Sequence, residues 1–123
     1  MATLPKTLEA QQGVTYTLAT LAAVGITDIL KIDSGGQEKF DQITFTLTVT
    51  LNAVTTAVFR FLGGPSASEL GILAADGLDR SITADGSYNF VYNGLKSMTF
   101  FAVRLVSEAA ASDSSTVVKV KAG

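Results

Sequence analysis

The chain has 123 residues and a formal net charge of -2, and it contains neither histidine nor cysteine. These two residue types supply much of the acid–base, nucleophilic and metal-binding chemistry of enzymes, so their absence argues against an enzyme and excludes disulfides. Charged residues make up 16% of the chain, against about 25% in typical domains. The low charge favours burial of part of the surface in an assembly, although alanine and threonine could simply replace charge on an open surface.

The N-terminal residues 1–12 are predicted to be an arm, followed by a single domain over 13–123. Leu4, Pro5 and Leu8 are the apolar anchors of this arm. The arm lacks the apolar core of a secretory signal, and no later segment reaches the ~20 apolar residues of a membrane span. We therefore expect a protein that is made in the cytoplasm and has no membrane partner.

The first half of the domain shows the clearest strand pattern. A strand is expected from Val14, with residues 18–24 open to a short helical turn instead. A second short strand is predicted over 26–32. Over 43–51, five apolar residues alternate with four threonines, which is typical of a strand with one buried face. Asn52-Ala53 is expected to turn the chain into a returning strand, over residues 55–62.

The second half contains an irregular stretch and then three more strands. Residues 66–85 are the least regular part of the chain. A strand over 87–93 is followed by Asn93-Gly94, the strongest hairpin-turn dipeptide. Further strands are expected over 98–107 and 116–121. Seven to eight strands joined by short turns predict an all-β fold, an antiparallel β-sandwich of jelly-roll or immunoglobulin-like type.

Charged side chains give little sign of a chemical site. Asp76, Asp79 and Asp85 lie in one loop region, where aspartate most often forms turns; a weak Ca²⁺ site is the alternative. Lysine and arginine are scattered without a basic run, which argues against nucleic acid as a partner. Lys119 and Lys121 share one face of the last strand, a pattern typical of a guarded sheet edge. No cofactor is expected.

Two of the predicted strands carry apolar groups on both faces. Phe100 and Phe101 are consecutive and must face opposite sides, and the same pattern occurs over 58–61. Such strands indicate that both faces are covered. Either loops of the chain cover the outer face, or a partner chain does so.

The second half of the chain, residues 58–122, resembles small β-sandwich proteins of tailed bacteriophages, such as head decoration and cement proteins. The resemblance lies in a strand that ends in glycines, an Asn-Gly turn, an aromatic strand with an arginine, and a last valine-rich strand: Phe59–Gly64, Asp85–Phe90, Asn93-Gly94, Phe101–Leu105 and Val117–Val120. This resemblance implies a non-enzymatic component of the virion, with no catalytic residues to transfer.

The favoured hypothesis is therefore a capsid decoration protein that binds and stabilises the major capsid lattice, as a homo-oligomer for which a trimer is one arrangement. The candidate partner-contact residues are Leu4, Pro5, Leu8, Phe100 and Arg104. The alternatives are a tail or fibre component and a sandwich that binds carbohydrate or a receptor through Tyr88 or Tyr92.

Overall fold

A computed structural model of the chain describes residues 7–10, 13–32, 42–66, 68–72, 79–92 and 100–122. Within these ranges the chain forms strands and no helix, so no described helix could span a membrane. The predicted all-β fold class is confirmed. The strands are β1 (Thr7–Ala10), β2 (Thr15–Leu21), β3 (Gly25–Ile26), β4 (Ile29–Ile32), β5 (Ile43–Thr50), β6 (Thr56–Gly64), β7 (Gly71–Ile72), β8 (Arg80–Ile82), β9 (Gly86–Tyr92), β10 (Phe100–Ala109) and β11 (Ser115–Ala122).

These strands form a β-sandwich of two sheets, as predicted. The large sheet has seven strands in the order β1-β4-β10-β6-β7, and in addition β3 pairs with β10 and β8 pairs with β6. The small sheet has four strands in the order β2-β11-β5-β9. Every described pairing is antiparallel except that of β1 with β4, which is parallel.

The main core lies between the two sheets and follows from period-two alternation. In β5, the apolar side chains from Ile43 to Val49 are at most 2% exposed, whereas the threonines between them face outwards. In β10, Phe101, Val103 and Leu105 are fully buried. Burial of each such side chain contributes about 1.5–3 kcal/mol, which makes this alternation the main determinant of the fold.

The predicted return of β5 into β6 as a hairpin is wrong, although the turn between them exists. The Val54 N–H donates to the Leu51 carbonyl at 2.9 Å, and Asn52 has a positive φ of 54°. The turn carries the chain from the small sheet to the large one, so β5 and β6 pack face to face instead of pairing. The strands β9 and β10 likewise lie in different sheets, and Asn93-Gly94 between them lies outside the described residues. A turn dipeptide fixes a reversal of the chain but not the strand with which the next segment pairs.

The structure has more strands than the seven to eight expected, because several are too short to show alternation. The stretch expected as one strand over 26–32 is divided between β3 and β4 at Thr27. There the Thr27 N–H donates to the Val103 carbonyl at 2.9 Å, and the Thr27 hydroxyl accepts the Val103 N–H at 3.0 Å. Residues 18–21 continue β2, so the helical alternative fails there.

The strand β11 is central and not an edge, which corrects the interpretation of its lysines. β11 lies between β2 and β5. Lys119 and Lys121 are exposed on the outer face of the small sheet, between threonines of both neighbours. These lysines therefore make the outer face of the small sheet hydrophilic, and they do not protect a sheet edge from pairing with other chains.

Residues 7–10 of the predicted N-terminal arm form β1, which pairs with β4 in the large sheet of the domain itself. Leu8 is paired with Leu30 of β4 and packs against the main core, because its side chain faces inwards at this register position. Leu8 is therefore held by the domain itself. Leu4 and Pro5 lie outside the described residues.

Candidate interaction surface

The outer face of the small sheet is polar, and several of its side chains bond to one another. The Thr46 hydroxyl donates to Asn89 Oδ1 at 2.7 Å, and the Thr48 and Ser87 hydroxyls are 3.0 Å apart. With Lys119 and Lys121 also on this face, it is typical of a solvated sheet surface.

The outer face of the large sheet is different, because apolar side chains cover part of it. Alternation along β10 places Phe100, Ala102 and Arg104 outwards, as predicted. Ala102 is nevertheless fully buried, because it forms a small apolar cluster with Ile29 and Leu62 on this face. Ile26, Leu70 and Phe100 pack against this cluster. The chain's own residues therefore cover part of this face.

A groove with a volume of about 300 Å³ adjoins this cluster, and we call it the arginine groove. Strand register builds it, since Arg104 lies opposite both Arg60 of β6 and Ile26 of β3, and Leu62 lies opposite Ile72 of β7. Its lining consists of Ile26, Arg60, Leu62, Ser68, Leu70, Gly71, Ile72 and Arg104. The groove thus combines an apolar wall with two cationic side chains.

The two arginines of this groove differ in their partners. Arg60 donates to Asp79 through Nε at 2.8 Å and through Nη2 at 3.1 Å, a two-pronged ion pair. The hydrogen bond that Arg60 donates to Asp79 lowers the pKa of Asp79 and raises the pKa of Arg60. Arg104 is exposed and has no ion pair with any described residue. Since like charges opposite each other on paired strands repel, Asp79 offsets one guanidinium and leaves the other uncompensated.

Phe100 lies at the other end of the same outward row. It is half-buried, and the Lys31 ammonium lies 5.9 Å from the centroid of its ring, within reach of a cation–π contact. Four residues of extended strand separate Phe100 from Arg104, a distance of about 13 Å. One surface therefore contains an aromatic group and a guanidinium without a described counter-charge.

Sequence reasoning identified part of this surface. Phe100 and Arg104 lie on one face, whereas Leu8 is on the core side of the same sheet. Arg60 and Asp79 were missed as a pair, because they are 19 residues apart and no local spacing joins them. The arginine inside the double-sided apolar stretch 58–61 was the available signal, since a charge there must face outwards.

The remaining charged and aromatic candidates have structural contacts. The Leu51 N–H donates to Asp85 at 2.8 Å, and Asp79 binds Arg60, while Asp76 lies outside the described residues. The described ranges contain no group of three or more acidic, histidine or cysteine residues that could hold a metal ion. Tyr88 and Tyr92 are half-buried and pack against the main core.

Comparisons with known proteins identify the fold class and one solved example of it. No protein-family model matches the chain, and no curated protein matches it. The crystal structure of the SPBc2 prophage-derived protein YomS matches with a TM-score of 0.59 and 12% sequence identity, over 87% of this chain and 89% of that chain. At this identity the match establishes a shared fold.

Proposed function

We propose that this chain is a non-enzymatic structural protein of a bacteriophage particle, and specifically a decoration protein that binds the major capsid lattice. The observation that best supports a phage role is the shared fold with a prophage-derived protein over nearly the whole length of both chains. The low fraction of charged residues agrees with a subunit whose surface is partly covered by other chains.

The outer face of the large sheet is the proposed contact surface. It offers Phe100, the exposed Arg104 and the apolar wall that includes Ile72, which is 44% exposed. Aromatic groups and arginine are enriched at the centres of protein interfaces, because they combine a large contact area with directed hydrogen bonds. Many equivalent lattice sites would make modest individual contacts effective, particularly for a homo-oligomer.

The test uses phage particles from a host that carries the gene for this chain. Mass spectrometry of purified particles should detect the chain, and a gold-labelled antibody should bind to heads. Particles made without the gene should bind purified protein during co-sedimentation. Particles that lack the chain would refute a structural role. Label confined to tails would refute decoration and favour the alternative of a tail or fibre component.

A pair of variants tests the contact surface itself. Arg104→Glu reverses a charge on the outer face of the large sheet, and we expect it to weaken particle binding by at least about tenfold, or about 1.4 kcal/mol. The matched control Lys119→Glu makes the same kind of change on the opposite, polar face. It should bind like the wild type. Equal losses in both variants would mean that overall charge, and not this surface, controls binding.

A further inference from the structure

Among the described residues, the strand β9 forms an edge of the small sheet that carries none of the usual protections. It pairs with β5 on one side, and no described strand pairs with its other side. An open edge presents unpaired N–H and C=O groups to other chains, and natural proteins block it with charges, proline, bulges or shortness. The seven residues of β9 include no charge and no proline, and their pairing with β5 runs without a register shift.

The other described sheet edges each carry at least one of these protections. At the ends of the large sheet, β1 has four residues including Glu9, and β7 has only two residues. At the far side of the small sheet, the pairing of β2 with β11 shifts register between Val118 and Lys119, which indicates a bulge. Among the described edges, β9 therefore stands out as long, regular and uncharged.

We propose that β9 pairs with β9 of a second copy of this chain, antiparallel about a two-fold axis at Asn89. The contact joins the two small sheets into one continuous sheet of eight strands. A two-fold axis makes such a contact closed, because the same strand serves as donor and acceptor in both copies. The inference concerns the chain alone and does not depend on its role in a particle.

The sequence of β9 is complementary to itself in this register. On the inner face, Tyr88 falls opposite Phe90 of the second copy, and Gly86 falls opposite Tyr92 of that copy. Cross-strand aromatic pairs stabilise sheets by roughly 0.2–1 kcal/mol each, and an aromatic ring opposite an edge glycine covers the exposed backbone. On the outer face, Val91, which is 50% exposed, falls opposite Ser87 of the second copy.

Charge also favours a second copy as the occupant. Like charges directly opposite each other destabilise paired strands. Because β9 contains no charged residue, its pairing with β9 of a second copy involves no such repulsion. Asn89 meets Asn89 across the axis, where two neutral amides can bond to each other. A charged segment of another protein would find no counter-charge within β9.

Single cysteine substitutions test both the contact and its register, because the chain has no cysteine of its own. Directly paired residues have Cα atoms about 4.5–5.5 Å apart, which fits a disulfide. Asn89→Cys should therefore form a covalent dimer under mild oxidation. In Val91→Cys, the two thiols are separated by a four-residue offset of about 13 Å, beyond disulfide reach. Thr20→Cys on the opposite edge of the sheet is the second control.

Preferential crosslinking of Asn89→Cys, by at least about tenfold in initial rate over both controls, is the expected result. Equal rates for the three variants, or fastest crosslinking of either control, would overturn the proposal. Light scattering provides a test without cysteine. The average molecular mass of the wild type should rise with protein concentration from 12.8 kDa towards twice that value. Asn89→Lys should remain monomeric, and Thr20→Lys should dimerise. A wild type that stays at 12.8 kDa at its solubility limit would also overturn the proposal.

Discussion

Phe61 joins the two sheets, and its truncation gives a quantitative test of the core. Its side chain is 2% exposed on β6 of the large sheet. Its ring centroid lies 5.0 Å from that of Phe45, 4.8 Å from that of Phe90 and 5.6 Å from that of Tyr92, all in the small sheet. Phe61→Ala therefore removes a large side chain and three aromatic contacts between the sheets.

The expected loss follows from these contacts. Phenylalanine-to-alanine changes in cores cost about 3–5 kcal/mol in total, and this range already includes the aromatic contacts that are lost. We expect Phe61→Ala to lower the free energy of unfolding by about 4 kcal/mol. In urea denaturation, with a slope of about 2 kcal/mol per molar, the midpoint should fall by about 2 M.

Two further variants make this test specific. Val24→Ala, at a site that is 58% exposed, should change the free energy of unfolding by less than about 0.5 kcal/mol. A double-mutant cycle between Phe61→Ala and Phe90→Ala should give a coupling of about 1 kcal/mol. A loss below about 2 kcal/mol for Phe61→Ala, or no coupling to Phe90, would refute the inter-sheet role assigned to this ring.

Three other perturbations test local features. Gly64→Ala should lower the free energy of unfolding, measured in urea, by more than about 2 kcal/mol, because the new methyl group would overlap the Glu69 carbonyl. Gly71→Ala is the control, because its methyl group would enter open space and should leave the stability nearly unchanged. Thr27→Val should cost about 1–3 kcal/mol in the same assay, because the hydroxyl at a site 1% exposed accepts a buried N–H from β10; an unchanged stability would contradict this. The ion pair holds the pKa of Asp79 below its usual 3.8, so its stabilising contribution is present above about pH 3.8 and is lost as the pH falls through the lowered pKa. The urea midpoints of the wild type and Asp79→Asn should differ at neutral pH and converge in acid, and a constant difference would contradict the assignment.

The strands that alternation could predict are those with one buried face. The threonine and apolar residues of β5 identify both the strand and its inner side, because side chains on a strand point alternately to opposite faces. The outward row of Phe100, Ala102 and Arg104 was predictable for the same reason. These are local properties of the chain, and a single sequence contains them.

The assignment of strands to sheets was not predictable, since it depends on contacts far apart in sequence. The turn at Asn52 would suit a hairpin or a crossing between sheets equally well. The arginine groove has the same origin, because it requires β3, β6, β7 and β10 to meet through register. The pairing of β1 with β4 was also not predictable, since four residues with one leucine facing inwards carry too little apolar pattern to indicate a parallel pairing.

The central position of β11 has a consequence for the time course of folding. β11 lies between β2 and β5 in the small sheet, so these two strands are joined only through it. In the sequence, β11 follows every other described strand. The complete small sheet therefore cannot form until all the other described strands have been synthesised. Folds dominated by such distant pairings fold in milliseconds to seconds. Until β11 arrives, the edges of β2 and β5 remain open, and this interval is when the nascent protein is most exposed to aggregation.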